Sequence, residues 1–257
     1  MITFKEDDTV LLVYNHRKKW LRNISEGEFH CNFGKLDLNE LVNQPFGTVL
    51  TTNTGTQIKA ILPTMMDYLE NFYHESQIIY AKDAGMILLL LDLKPGDVVY
   101  EAGTGSGGLT SILATYVGNE GKVITHEVRE KAQKAAMKNL KRMKLDNVEF
   151  HLRDVKEEGF VTGVADSLVL DMADPWIVLP KVTEVLKIGG KIVLFQPTYN
   201  QLEKNFNLLK ENNFENIEAL ELIERGIQLK EGAIRPATRM VGHSGFLVHA
   251  RYLGSIS

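Results

Sequence analysis

The chain has 257 residues, 44% of them hydrophobic and 24% charged, which allows one large α/β domain with a small appendage. Its net charge of −4 gives no global pull toward nucleic acid, so any RNA must be engaged through local patches. A lone cysteine, Cys31, excludes an intrachain disulfide and a multi-cysteine zinc site, and no apolar run approaches the roughly 20 residues of a membrane span. With no secretion signal at the N-terminus, a cytoplasmic protein without membrane or metal partners is expected.

Residues 1 to 70 carry short β-type runs, Val10 to Tyr14, Thr48 to Thr52 and Gln57 to Leu62, between Asn- and Gly-containing turns. They predict a small β-rich N-terminal domain. From 71 to 257, apolar strands alternate with helix-length periodic segments, which predicts a Rossmann-like α/β domain. Met86 to Leu91 reads as a buried helix face. Strand one is Asp97 to Ala102, fed by Lys94-Pro95-Gly96 and followed by a helix from Ser106 to Tyr116. Strand two is Lys122 to His126, with a helix from Arg129 to Lys144; strand three is Val148 to Leu152. Strand four, Asp166 to Leu170, precedes a helix from Trp176 to Leu186. Strand five, Lys191 to Phe195, is entered by the Gly189-Gly190 turn and precedes a helix from Gln201 to Asn212. Ile217 to Ile223 and Gly245 to Tyr252 lack a helix between them, so they are expected to pair antiparallel.

Glu101-Ala-Gly-Thr-Gly-Ser-Gly-Gly108 joins strand one to its helix. Glycines there permit a tight turn and close ligand approach, while the helix N-terminus offers free N–H groups. Gly103, Gly105 and Gly108 fit G-x-G-x-x-G, with an acid about 20 residues on. Alone, that leaves open a nicotinamide or flavin enzyme, an adenosylmethionine enzyme, or a turn with no ligand. Three carboxylates narrow the choice. Glu101, two residues before the first glycine, would repel a pyrophosphate and suits the sulfonium and ammonium of S-adenosyl-L-methionine. Glu127 ends strand two, where it can accept from both ribose hydroxyls. Asp154 follows strand three, within reach of an adenine amine. Each alone reads equally as a helix cap or a solvated loop acid; at the carboxyl ends of successive strands, together they favour the cationic cofactor.

Strand four runs into Asp171-Met-Ala-Asp-Pro-Trp176, which sets Asp171 near the glycine turn. Methyl transfer from a sulfonium is an in-line displacement, so the protein mainly positions the acceptor and offsets charge. An adenine N1 has an in-plane lone pair and turns cationic on alkylation. A carboxylate accepting from the neighbouring N6 amine would orient the ring, offset that charge and later take the N6 proton. Asp171 suits this role. Asp174 competes for it, although before Pro175 it also suits a helix cap.

Four motifs together carry a family resemblance: Gln77-Ile-Ile-Tyr-Ala-Lys-Asp83, Glu101 to Thr110, Asp171 to Trp176, and Arg235-Pro-Ala-Thr-Arg-Met-Val-Gly-His-Ser-Gly-Phe246. The chain closely resembles, over almost its whole length, the tRNA adenine-N1 methyltransferases that modify the T-loop, and most of all their homotetrameric archaeal and bacterial branch. The resemblance implies a class I methyltransferase sheet, tRNA as partner, a homotetramer, and methylation at position 58 of tRNA, with 57 as a second candidate. It further implies that Ser106, Gly107, Gly108, Leu109, Glu127, Asp154 and Asp171 contact adenosylmethionine beside Gly103 and Gly105. Asp171 and Tyr80 would hold the adenine. Ala81 stands where many members carry proline, and Ala173 where related sequences vary.

Tyr80 by itself reads as core; the resemblance makes it a ring stacked on a flipped adenine. The helix from Arg129 to Lys144 sets Lys131, Lys134, Lys138, Lys141 and Arg142 opposite Ala132, Ala136, Leu140 and Met143. Such stripes are mostly solvated faces, but this one and His16-Arg-Lys-Lys19 also offer basic patches for tRNA phosphates. Arg235 and Arg239 fall in a loop, available to RNA or a neighbouring subunit. His243 has no partners at metal-ligand spacing. Two rival readings stand beside this one. The first is a methyltransferase of another substrate, such as a protein carboxylate. The second is a catalytically silent RNA-binding subunit, against which the intact glycine turn and Glu127 speak.

Overall fold

A computed structural model of the chain describes residues 3–75 and 78–254. Gln77, which opens the first diagnostic motif, lies outside the described residues. The chain falls into two units, Met1–Tyr73 with Lys141–Lys144, and His74–Leu140 with Leu145–Ser257.

The first unit holds β1 (Thr9–Asn15), β2 (Lys18–Asn23), β3 (Glu28–Cys31), β4 (Gly34–Asp37), β5 (Val49–Thr51), β6 (Gln57–Ile61) and α1 (Met65–Glu70). An antiparallel sheet runs in the order β2-β1-β6-β5, and β3 pairs with β4. β1 is central and buries Val10, Leu11 and Leu12, with Phe4, Ile24, Phe29 and Ile58 in the surrounding core. The β-rich character follows the sequence, but β2, β3 and β4 do not stand out in it. β2 is an edge strand starting Lys18-Lys19, and charge at an edge blunts aggregation while hiding the apolar alternation.

The second unit holds α2 (Ala81–Leu90), β7 (Val98–Ala102), α3 (Gly108–Val117), β8 (Lys122–Glu127), α4 (Glu130–Arg142) and β9 (Val148–Leu152). It continues with α5 (Val155–Glu158), β10 (Ala165–Leu170), α6 (Leu179–Val182), β11 (Leu186–Gln196), α7 (Tyr199–Glu211), β12 (Phe214–Glu221), β13 (Ile227–Gln228), β14 (Arg235–Pro236) and β15 (Phe246–Tyr252). Among the described residues, seven strands form a sheet in the order β12-β15-β11-β10-β7-β8-β9. β15 runs antiparallel to both β11 and β12, as the missing crossover helix requires. Strand alternation sorts the two faces: Tyr100, Leu168, Leu170 and Ile192 enter one core, Val99, Val169, Val193 and Leu247 the other. The chain order reverses between β7 and β10, so a crevice opens at their carboxyl ends, where such sheets take ligands.

Three local expectations change. Trp176 to Leu186 is not one helix: Pro175–Ile177 is a 3-10 turn, α6 is four residues long, and Leu186 already belongs to β11. Pro180 and the β-branched Val178, Val182, Thr183 and Val185 keep the helix short. Gly189 and Gly190 lie inside β11, where the pairing with β10 jumps from Ala165↔Leu186 to Ser167↔Lys191, an irregularity that Gly189 meets with φ +82°. In the apolar run of α2, Leu89 is exposed while Ile87 and Leu91 are buried.

Candidate active site

The turn after β7 is set by close packing. Gly103 has φ +99°, and a Cβ there would overlap the carbonyl oxygen of Asp171. The Asp171 N–H in turn donates to the Ala102 carbonyl at 2.9 Å. β7 and β10 therefore meet at their ends because residue 103 has no side chain. Gly103, Gly105, Ser106, Gly108 and Leu109 line a first cavity of about 200 Å³, together with Glu127 and Asp171. Ser106 Oγ accepts the Glu75 N–H at 2.9 Å, which fixes the hydroxyl. Gly107 precedes α3 with φ +83° and packs against Ala136 and Leu140 of α4, which leave no room for a side chain there.

A second cavity, about 350 Å³, is lined by Gly103, Glu127, Val128, Asp154, Asp171 and Met172 among others. Glu127 ends β8. Its Oε2 accepts the Gly105 N–H at 2.8 Å, and its Oε1 accepts the Val128 and Arg129 N–H groups at 3.0 Å and Arg129 Nε at 3.2 Å. Asp154 caps α5 by accepting the Lys156 N–H at 2.9 Å, so it is both a helix cap and a cavity wall. A third cavity, about 400 Å³, is lined by Tyr80, Asp171, Phe195, Pro197, Gln201 and Ser244 among others. Tyr80 is not core. It stands just before α2 and is 39% exposed at the rim of this cavity. Asp174 lines none of the three and pairs with Lys156 at 3.8 Å. Asp171 lines all three.

Burial pushes the Asp171 carboxyl up to about 6, the Glu127 charge adds to this, and Arg129 opposes it. Glu101 is fully buried. It shares a strand face with Val99 toward α3, and it lines none of these cavities. Its Oε2 accepts the Thr110 and Thr125 hydroxyls at 2.6 Å each, while Oε1 is buried without a partner among the described residues. Burial raises its carboxyl to about 8, against the pull of the two hydroxyls and with a further push from Asp171 and Glu127. Burial thus favours the neutral form of Glu101. The acidic side chains that line the cavities are those of Asp171, Glu127 and Asp154.

Several wall residues escape a reading of the sequence. Arg129 lines the first two cavities but reads only as the start of a basic helix. Gln201 holds the third cavity's wall, donating to the Ala173 carbonyl at 3.0 Å and accepting from the Thr198 hydroxyl at 2.8 Å; the Thr-x-x-Gln capping spacing is its signal. Lys82, Asp83 and Ser244 bond one another beside this cavity.

Elsewhere, α4 turns Lys131, Lys134, Lys138 and Lys141 outward and buries Ala132, Ala136 and Leu140, but Arg142 is half-buried. Arg235 lies in the short β13–β14 ladder rather than a loop and is exposed, as is Arg239. Among the described residues no group of His, Cys, Asp and Glu is disposed to hold a metal.

Residues 58–240 match the family model described as the tRNA methyltransferase complex GCD14 subunit. The chain is 34% identical to the tRNA (adenine(57)-N(1)/adenine(58)-N(1))-methyltransferase TrmI of Methanocaldococcus jannaschii, across 94% of each sequence. It superposes on the tRNA (m1A58) methyltransferase TrmI of Aquifex aeolicus with a TM-score of 0.79 at 32% identity, covering 99% of this chain and 100% of that one. It also superposes on a structure described as an S-adenosylmethionine-dependent O-methyltransferase from Thermotoga maritima, with a TM-score of 0.87 at 33% identity over 99% of this chain and 96% of that one. A family match over most of the chain, on a sheet whose glycine turn and strand-end carboxylates frame three adjoining cavities, assigns the lineage: the chain belongs to the TrmI-type tRNA (adenine-N1)-methyltransferase family.

Proposed function

We propose that this chain transfers a methyl group from S-adenosyl-L-methionine to N1 of adenine 58 in the tRNA T-loop. Adenine 57, which the name of the M. jannaschii relative adds, is the second candidate. The observation that carries this reading is Asp171, a carboxylate common to the glycine-turn cavity, the Glu127 cavity and the Tyr80 cavity. The first two cavities share Gly103, Glu127 and Arg129, and their donor set fits an adenosyl cofactor. Gly103, Gly105, Ser106, Gly108 and Leu109 form the wall, Glu127 is a strand-end acceptor for ribose hydroxyls, and Asp154 is an acceptor for the adenine amine. Gly107 supports that wall from behind, by seating α3 on α4.

Adenosylmethionine supplies a methyl group on a sulfonium, ready for in-line displacement. Asp171 accepts a hydrogen bond from the N6 amine of the target base, which aligns N1, and its charge offsets the positive charge that passes to the base. Once N1 is alkylated, the same carboxylate can take the N6 proton. Tyr80 offers the flipped base an aromatic face, which offsets part of its unstacking.

We also propose self-association as a homotetramer in the cytoplasm. Residues 223–243 expose Ile223, Leu229, Ile234 and Met240, and none of them joins a core cluster among the described residues; such an apolar arm calls for a partner surface. Light scattering should return a four-chain mass, and a monomer would contradict it.

The reaction is tested with unmodified tRNA and labelled adenosylmethionine, followed by digestion to nucleosides. The expected product is 1-methyladenosine. Its absence with folded protein and cognate tRNA contradicts the reading. Label released by mild alkali would instead point to a carboxylate acceptor.

A further inference from the structure

The third cavity has walls from distant parts of the sequence. One is Ile78 to Tyr80, leading into α2; another is Ser244, in the loop before β15. A charged cluster joins them. Lys82 Nζ donates to both oxygens of Asp83 at 2.8 Å and to Ser244 Oγ at 2.6 Å, and Ser244 Oγ donates to Asp83 Oδ2 at 2.9 Å. The Asp83 side chain is 0% exposed and that of Lys82 13%. Lys82 Nζ also lies 5.8 Å from the centroid of the Tyr80 ring. The loop is pinned on its other side as well. His243 Nδ1 meets Glu221 Oε1 at 2.6 Å, its Nε2 meets the Pro197 carbonyl at 2.8 Å, and Gly245 packs so closely on Phe195 that a Cβ would overlap the ring.

A buried ion pair is a poor device for stability alone, because two charges lose their hydration and apolar side chains of similar volume often serve as well or better. What it supplies is direction. Charge-assisted hydrogen bonds fix distance and angle in a way that apolar contact does not. Asp83 and Lys82 stand in the first turn of α2, within three residues of Tyr80, so what they hold, Tyr80 feels.

We propose that Lys82, Asp83 and Ser244 form a latch that fixes the gap between Tyr80 and the Ser244 loop and so positions the acceptor base against Asp171. This rests on the reading of the third cavity as the acceptor site. The three are positioning residues that act through Tyr80 and the loop. Lys82 presents its charge to the Tyr80 ring, which holds that ring in place as a stacking platform. Released, the ring and loop separate and the base tilts away from the in-line path, while Gly103, Gly105, Glu127 and Asp154 of the cofactor cavities, which the latch does not touch, keep their places.

The test uses full-length protein and two sets of variants. In the paired variant Lys82→Met with Asp83→Leu, the buried charges are replaced together, so none is stranded. Its thermal midpoint should be unchanged or raised, and its adenosylmethionine Kd unchanged within about twofold. Its kcat/KM for tRNA should fall by up to about a hundredfold, the scale of a misplaced reactant. Ser244→Ala should lose part of the same activity, and Ser244→Thr, which keeps the hydroxyl, should recover it. A paired variant that matches wild type on tRNA overturns the latch, and so does one whose cofactor affinity falls in step with its tRNA activity. A wild type that forms no 1-methyladenosine overturns the functional reading and the latch with it. A wild type that forms it while the variants keep pace overturns the latch alone.

Discussion

Glu101 and Asp171 both stand at the ends of buried strands, yet their surroundings give them different protonation and different work. Burial raises the Asp171 carboxyl to about 6, with Arg129 opposing the rise. Glu101 is closed in by α3 and two threonine hydroxyls, with its carboxyl near 8. Folding thus favours the neutral form of Glu101. The penalty grows as pH rises from the ordinary carboxylate range to about 8, so this group lowers stability across that window. Glu101→Gln should therefore lose less stability than wild type between pH 6 and 8.5 in urea unfolding. At pH 7 it should bind adenosylmethionine within about threefold of wild type, because an amide stands in for a neutral acid. Collapse of cofactor binding with the fold intact would show that the charge is needed. The parity of Glu101 with Val99 is legible in the sequence. Which face the ligand uses is not, because that depends on where the strand order reverses.

At the scale of elements, the parallel strands and their helices are legible because their periodicity is strong and both sheet faces are apolar. What fails is local: Pro180 breaks a helix that apolar spacing suggests, and Gly189-Gly190 look like a turn but form an irregularity within β11. Ala81 illustrates the opposite case. It is the first residue of α2, a position where proline's missing N–H is of no consequence, so alanine and proline alike leave the helix start intact. The junction of β7 with β10 gives a sharper test. Gly103 and Gly96 have similar φ, +99° and +94°, but a Cβ meets β10's end at the first and open space at the second. Gly103→Ala should cost about 1–3 kcal/mol more than Gly96→Ala, the cost of overpacking. Equal losses in denaturant unfolding would mean that the two strand ends are not in contact.

At the scale of the molecule, a net charge of −4 must be reconciled with a polyanionic substrate. We propose the outward lysines of α4 as the local patch that meets it. Replacing Lys131 and Lys141 with alanine should reduce the slope of log tRNA affinity against log salt by about 2, with cofactor affinity unchanged. An unchanged slope would place the tRNA on another face. Long-range assembly is also where the sequence is least informative about the site: Lys82 and Ser244 are 162 residues apart, and no spacing rule brings them together. Asp171 is where the whole arrangement converges, since it lines all three cavities. The most direct measurement is the single-turnover rate of methyl transfer to tRNA against pH, for wild type and Asp171→Ala, at saturating adenosylmethionine. Because the carboxylate is the working form, the wild-type rate should climb through about pH 6 and level off above it. Asp171→Ala should fold, lose most of the rate and show no such rise. A folded Asp171→Ala protein with near wild-type turnover, or a wild-type rate flat from pH 5 to 8, would contradict the account.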